Sequence, residues 1–493
     1  MGKKQLRNRE SWGIIKVTVF NAAQPKRGDR VSGKKSMRNM TEGSCWKNIL
    51  LFALPMLAGN LLQQAYNLVD SWVVGNYVGD GALAAVGVAF PVLFLFISLF
   101  QGISTGSTVV ISQFFGAGRM DRVKDAVTTT YTAFLIVIFP LTAVAVAVVE
   151  PLLILLNIDQ SAFAEAKTYM IIVCAGLVGN VGYNVNAGIL RGLGDSRTPL
   201  LLLVISTVIN VVLDFVTVIL WHMGVAGVAY ATIIAQGASW LFGIFYINRK
   251  YSEIHLSLRF FRFDKEKGLR FCWEHELLRQ IIRIGLPAGL QTGLVSIGIM
   301  TVMGRVNSYG EAYTAAYNVG QKLDGIAIMP IQSIAAAATA FVGQNMGANK
   351  PERVKQGTKA TLIMVVIWSL VVDALILPFR EPLAALFSDT PEVIRITGQY
   401  VAALLPFYPF FGTMFSLNSI MRGAGESMVP MMIAFVGQII CRVPAVYLLA
   451  HFFGPDYMFL GFPAGWVVGS ILASLYYRGG RWKRHGSIAA KFD

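Results

Sequence analysis

Twelve apolar runs divide the chain, each near the ~20 residues that a helix needs to cross the hydrocarbon core of a bilayer. They lie at about 48–70, 84–108, 126–148, 168–190, 200–220, 225–247, 284–306, 325–345, 361–379, 396–418, 430–451 and 459–477. Only 14% of the 493 residues are charged and 55% are hydrophobic, whereas soluble domains carry about 25% charged residues. Too little polar surface remains to face water. The reading is an all-α integral membrane protein of twelve transmembrane helices.

The net charge of +15 raises the question of a nucleic-acid partner, and its placement answers it. Of the 42 Lys and Arg, 36 fall on residues 1–47, the loops after even-numbered runs, and the tail. The loops after odd-numbered runs hold only Lys167, Arg305, Lys322, Arg380 and Arg395, and Arg442 lies inside the eleventh run. Lys and Arg concentrate on the cytoplasmic side of membrane proteins. The excess therefore orients a multi-pass protein of the cell membrane, with both termini cytoplasmic and no nucleic acid implied.

Residues 1–39 are basic without an apolar core of signal-peptide length; 1–47 reads as a disordered cytoplasmic arm to which no function is assigned. Four scattered cysteines give neither a disulfide framework nor a zinc site. No phosphate-binding loop, nucleophile elbow or HExxH helix is present. We therefore expect no cofactor, no enzymatic activity, and transport driven by something other than ATP.

Internal symmetry sets the organisation. "GAGRMDRVK" (Gly116–Lys124) matches "GANKPERVK" (Gly347–Lys355), and "LRGLGDSRTP" (Leu190–Pro199) matches "MRGAGESMVP" (Met421–Pro430), both 231 residues apart. "ALP" ending at Pro55 aligns with "GLP" ending at Pro287. The expected units are a six-helix bundle over 48–247, a basic linker over 248–283, a second bundle over 284–477 and a basic tail over 478–493. Six spans per half make the repeats parallel, an arrangement that in transporters puts binding sites near the midplane. Arg191 and Arg422 end the fourth and tenth runs; anchoring a helix end at the interface explains them as well as gating does, and neither is taken as a substrate ligand.

Polar residues then pick out a site. In the first run Asn60, Gln63, Gln64, Asn67 and Asp70 recur every three or four residues, as do Ser206, Asn210, Asp214 and Thr217 in the fifth. Thr232, Gln236 and Ser239 form a stripe in the sixth run, and Asn180 and Asn184 lie one turn apart in the fourth. Such stripes face a bundle interior or a wet cavity, because lipid offers no hydrogen-bond partner. Interhelical hydrogen bonds explain isolated Asn or Thr residues, but two aspartates in apolar runs signal function. In the second half Asp214 is replaced by Ala445 and Asn210 by Cys441. Asp373 reads as solvated near a helix end and Asp324 as a local ion pair with Lys322, so the ionisable machinery is expected in the first half alone.

These features together resemble the multidrug and toxic compound extrusion (MATE) family from Thr41 to about Arg478. The carrying stretches are "LPMLAGNLLQQAYNLVD", "GAGRMDRVKDA", "LRGLGDSRTP", "NVVLD" and "GVAGVAYATIIAQ". The resemblance implies V-shaped halves, alternating access, and efflux of cationic amphipathic compounds driven by H⁺ or Na⁺. Carried over position by position, the family's first-half cation site falls on Asp70, Asn210, Asp214 and Thr232, which the polar stripes had already selected. These four would be the metal ligands if Na⁺ is the coupling ion. Asn60, Gln64, Asn67, Asn180, Asn184, Ser206 and Gln236 are expected to support a polar cavity. A family branch with acids in its seventh and tenth spans has no counterpart in those runs.

The expected cycle has H⁺ or Na⁺ neutralising Asp70/Asp214 from outside and releasing a cationic cargo, while the bare site captures the next from inside. Coupling requires that each ligand prefer a different state. The partners are then small cationic molecules and lipid, with the chain acting as a monomer. The runner-up is a flippase for a lipid-linked sugar or cell-wall precursor, which should bring cationic residues into the cavity to hold a pyrophosphate.

Overall fold

The computed structural model describes residues 37–155, 160–251, 253–254, 256, 261–264, 268–485 and 487–492; most of the basic arm, residues 1–36, lies outside them. The first half comprises α1 (Cys45–Tyr77), α2 (Asp80–Gly116), α3 (Met120–Leu155), α4 (Gln160–Ala175), α5 (Leu177–Gly192), α6 (Arg197–Asp214) and α7 (Gly224–Lys250). The second comprises α8 (His275–Asn307), α9 (Glu311–Gly347), α10 (Pro351–Ile376), the short α11 (Arg380–Ala385), α12 (Pro391–Leu404), α13 (Tyr408–Gly423), α14 (Met428–Phe435), α15 (Val443–Phe452) and α16 (Gly461–Arg478).

Ten of these segments are long and apolar enough to span a bilayer, counting helices that continue through a local break as one. The pair α4 and α5, bent by 46° at Gly176, makes an eleventh. The 37-residue α2 carries the run at 84–108. Among the described residues, the linker departs from the helical plan: β1 (Phe261–Asp264) pairs antiparallel with β2 (Gly268–Phe271).

Two runs contain π-helical turns. One, Phe215–Leu220, follows Asp214 directly, and the other, Val436–Arg442, ends on the intramembrane arginine. π-turns inside helices concentrate at functional positions.

The repeated motifs acquire physical roles. Asp195 Oδ1 accepts from the backbone N–H groups of Arg197 (3.0 Å) and Thr198 (3.1 Å), starting α6. Glu426, its equivalent 231 residues on, accepts likewise from Met428 (3.0 Å) and Val429 (3.2 Å) at the start of α14. Both satisfy orphan donors of a helix N-terminus. Gly194 (φ +79°) and Gly425 (φ +91°) precede them in the left-handed region that favours glycine.

The halves are not independent bundles. Met40, Ile49, Phe52 and Ala53, at and before the start of α1, pack into the second half's core. Leu277, Ile281 and Ile284, at the start of α8, pack into the first half's core. Each repeat thus lends the beginning of its first helix to the other. In lipid such contacts are driven by close packing rather than by release of water, and glycine permits them. A Cβ on Gly116 would overlap the Gln344 carbonyl, and one on Gly347 the Gln113 carbonyl.

The same seam binds both ends of the described chain. Gln344 Oε1 accepts from the Met40 N–H (2.8 Å), and Gln113 Oε1 accepts from the Ile488 N–H (2.7 Å). Gln113 Nε2 also donates to the Gly423 carbonyl at 3.1 Å, crossing from one half to the other. Residues 37–44 and the tail therefore fasten the basic face, where the sequence suggested only loose basic segments.

Candidate functional site

Asn210 and Asp214 lie one turn apart on α6, both fully buried, and Asp70 reaches them from α1. With its amide oriented to satisfy the carboxylates, Asn210 Nδ2 donates to Asp70 Oδ1 and Asp214 Oδ2, each at 3.1 Å. The carboxyl groups of Asp70 and Asp214 are also within hydrogen-bonding reach of each other. Two carboxylates can share such a bond only through a proton, and no Lys or Arg contributes to either group's surroundings. Asp214 Oδ1 is buried without a partner.

This donor set fits a small monovalent ion. A carboxylate pair buried without a basic partner is costly unless a proton or cation neutralises it. Among the described residues no group of three or more His, Cys, Asp or Glu side chains is placed to hold a metal. Two carboxylates, with a hydroxyl near by, are oxygen ligands suited to Na⁺, and the shared bond suits H⁺ equally.

Thr232, on α7, joins the site indirectly: it is buried and accepts a hydrogen bond from Tyr66 OH (3.3 Å). Tyr66 lies one turn before Asp70, and its hydroxyl is also within hydrogen-bonding reach of that carboxyl. The sequence reading passed over Tyr66, and its i, i+4 spacing from Asp70 was the signal. Tyr169 of α4 faces both aspartates as well.

The supporting residues disperse. Asn60 and Asn184 line a cavity between the halves, not the aspartate site, and Asn60 donates to Ser333 Oγ (3.0 Å). Asn184 donates to the Asn180 carbonyl (2.9 Å). Gln64 accepts from Asn67 at 3.4 Å on an exposed part of α1. Ser206 is buried and Gln236 partly so, and no hydrogen bond brings either to the acid pair.

That cavity, of about 620 Å³, is floored by both repeats, and Arg191 and Arg422 face it together. The two arginines thus project between the halves, which interfacial anchors have no reason to do.

The second half holds a cluster that corrects two expectations. Asp324 accepts from Tyr408 OH beside a cavity also lined by Tyr400, and Lys322 lies over the Phe387 ring (5.7 Å) rather than pairing with Asp324. Arg442 stacks 3.8 Å from the Phe462 ring centroid, donates to Gln438 Oε1 (2.9 Å) and acts electrostatically on Asp324. Asp373 is only partly buried, with one carboxylate oxygen buried and without a hydrogen bond. Buried ionisable groups therefore occur in both halves. Single-residue reading favoured the nearest opposite charge in sequence and could not see Tyr408, 84 positions away.

Comparison with known proteins agrees with this architecture. The MatE family model matches residues 55–216 and again 287–448, once per repeat. A protein of Bacillus subtilis (strain 168) described as a probable multidrug resistance protein, YpnP, is 32% identical over 449 residues, covering 90% of this chain and 97% of its own. A second from the same organism, similarly described and named YoeA, is 30% identical, covering 88% and 94%. A solved multidrug resistance MATE family transporter in an outward-facing conformation superposes with a TM-score of 0.82 at 25% identity, covering 91% and 99%.

Proposed function

Because the chain belongs to the multidrug and toxic compound extrusion (MatE) family, we propose that it is a secondary antiporter exporting drugs or toxic metabolites, cationic amphipaths among them, in exchange for H⁺ or Na⁺. It is a multi-pass membrane protein whose relatives are multidrug resistance proteins. The observation that carries the coupling assignment is the Asn210 bridge between Asp70 and Asp214.

The Asp70–Asn210–Asp214 group, with Tyr66 and Thr232, is the coupling site. With the site loaded, its charge is neutralised and its hold on a cationic group falls; unloaded, it carries negative charge and attracts one. The basic face, which the positive-inside pattern would make cytoplasmic, is closed by the Gly116/Gln344 and Gly347/Gln113 contacts. Rocking of the halves would have to part these contacts.

The test is ethidium movement in liposomes under a pH gradient and, separately, a Na⁺ gradient. Movement under one of them supports the antiporter and names its ion. A second reading, a flippase for a lipid-linked pyrophosphate, is favoured by one observation: two arginines face the inter-half cavity. Passage of a lipid-linked oligosaccharide with no gradient-driven dye movement would select it.

A further inference from the structure

The cavity between the halves is built from residues 231 apart: Gln101 with Gln332, Thr108 with Thr339, and Arg191 with Arg422 all line it. The pairing extends to hydrogen bonds, since Thr108 donates to the Gly188 carbonyl (2.8 Å) and Thr339 to the Ser419 carbonyl (3.0 Å), the matching position. The duplication has placed one guanidinium from each half in a single space. Among the described residues no Asp, Glu, Lys or His lines it.

Neither arginine has an acidic partner among the described residues. Arg191 Nε donates to the Ala187 carbonyl of its own helix (3.1 Å), and Arg422 Nη2 to Ser419 Oγ (2.9 Å). Arg422 Nε is buried with no partner. Both residues sit in the last turn of a helix, where a cation complements the macrodipole. That explains an arginine at each helix end; it does not explain why both heads face one internal cavity instead of the interface. Two planar, permanently charged forks amid amide and hydroxyl groups suit a carboxylate, sulfonate or phosphate. A purely cationic molecule would meet two like charges there with nothing to offset them.

We infer that the inter-half cavity binds an anionic group of the transported molecule between Arg191 and Arg422. The identification of that molecule as cargo rests on the antiporter reading above; the binding itself does not.

Purified protein titrated against carboxyfluorescein, read by fluorescence anisotropy, tests this directly. The probe should bind, release as salt is raised and be displaced by inorganic pyrophosphate. Arg191→Gln and Arg422→Gln should each weaken binding by about tenfold or more, while ethidium binding should not weaken. Absence of binding to the wild-type protein, or equal binding by an Arg191→Gln/Arg422→Gln variant that elutes as a monodisperse species, overturns the inference. The wild-type arm needs no variant to fold.

Liposomes then separate the two readings. Gradient-driven carboxyfluorescein movement marks a soluble organic anion as cargo. If ethidium moves while carboxyfluorescein neither binds nor moves, the antiporter stands and the anion site falls. If carboxyfluorescein binds, is displaced by a short polyprenyl pyrophosphate, and neither dye moves under any gradient, the anion site stands and the antiporter falls.

Discussion

Asp70 on α1 and Asp214 on α6 are joined through one amide, Asn210 Nδ2, which lies 3.1 Å from an oxygen of each. A change in the charge of either aspartate is therefore felt by two helices at once. That is what a coupling site needs: an ion whose arrival changes the fit between elements as well as its own coordination.

Removing the bridge while keeping both acids should tighten ion binding, because a hydrogen bond donated to a carboxylate favours its bare, charged form. Asn210→Leu leaves the carboxylates without their shared donor, at a cost of about 1–3 kcal/mol. The ion concentration giving half-maximal exchange should fall by roughly 5- to 150-fold, measured as the Na⁺ or pH dependence of dye exchange. An unchanged dependence would show that the bridge is incidental.

Tyr66 gives a subtler variant. Tyr66→Phe keeps the ring and removes the hydroxyl that serves both Asp70 and Thr232. The half-maximal ion concentration should move by about tenfold, with protein yield and thermal unfolding near wild type. A large fall in thermal stability with unchanged ion dependence would make Tyr66 structural only.

How far these residues were readable follows from what sequence periodicity reports. Asp70, Asn210, Asp214 and Thr232 stood out because a polar group in a span has few acceptable explanations, and the 231-residue repeat located both bundles. Spacing along one helix does not say which stripe meets which. Asn60 and Asn184 share the pattern of the coupling residues but face the cavity between the halves. The pairing of Asp324 with Tyr408 depends on how α9 packs against α13, and nothing local encodes it. Exchange of helix beginnings between the halves escaped for the same reason: the start of α1 is as apolar against its own bundle as against the other.

The seam on the basic face makes its own prediction. Gln113 and Gln344 each accept a backbone N–H from a terminal segment, and Gln113 also reaches Gly423. Gln113→Ala with Gln344→Ala should lower the closed state's stability by about 1 kcal/mol per lost hydrogen bond. Spin labels on the basic ends of the halves should then show a larger population at long distance by pulsed electron spin resonance. A distribution identical to wild type would remove these contacts from the gate.

Asp195, in the loop between α5 and α6, links stability to pH. Burial alone pushes its carboxyl up, but hydrogen bonds from Thr198, Tyr251 and Lys250 and the charge of Lys250 hold it below the usual carboxylate value. Lys250 Nζ lies 2.9 Å from Oδ2 and Tyr251 OH 2.5 Å. A depressed folded-state value contributes stability above the unfolded value, near 3.9, and that contribution is lost as pH falls through the folded value. Asp195→Ala should cost about 3 kcal/mol at pH 7. The gap in thermal midpoint from wild type should narrow as pH drops below about 4. A gap independent of pH would assign the loss to packing.

The central claim is that Asp70 and Asp214 exchange an ion for cargo. Its most direct measurement is the H⁺ or Na⁺ flux that added cargo evokes from preloaded proteoliposomes, compared between wild type and Asp214→Asn. The account predicts a cargo-evoked ion flux in the wild type and its disappearance in the variant, although the variant still inserts and folds. Cargo-evoked flux of wild-type size in Asp214→Asn would contradict it.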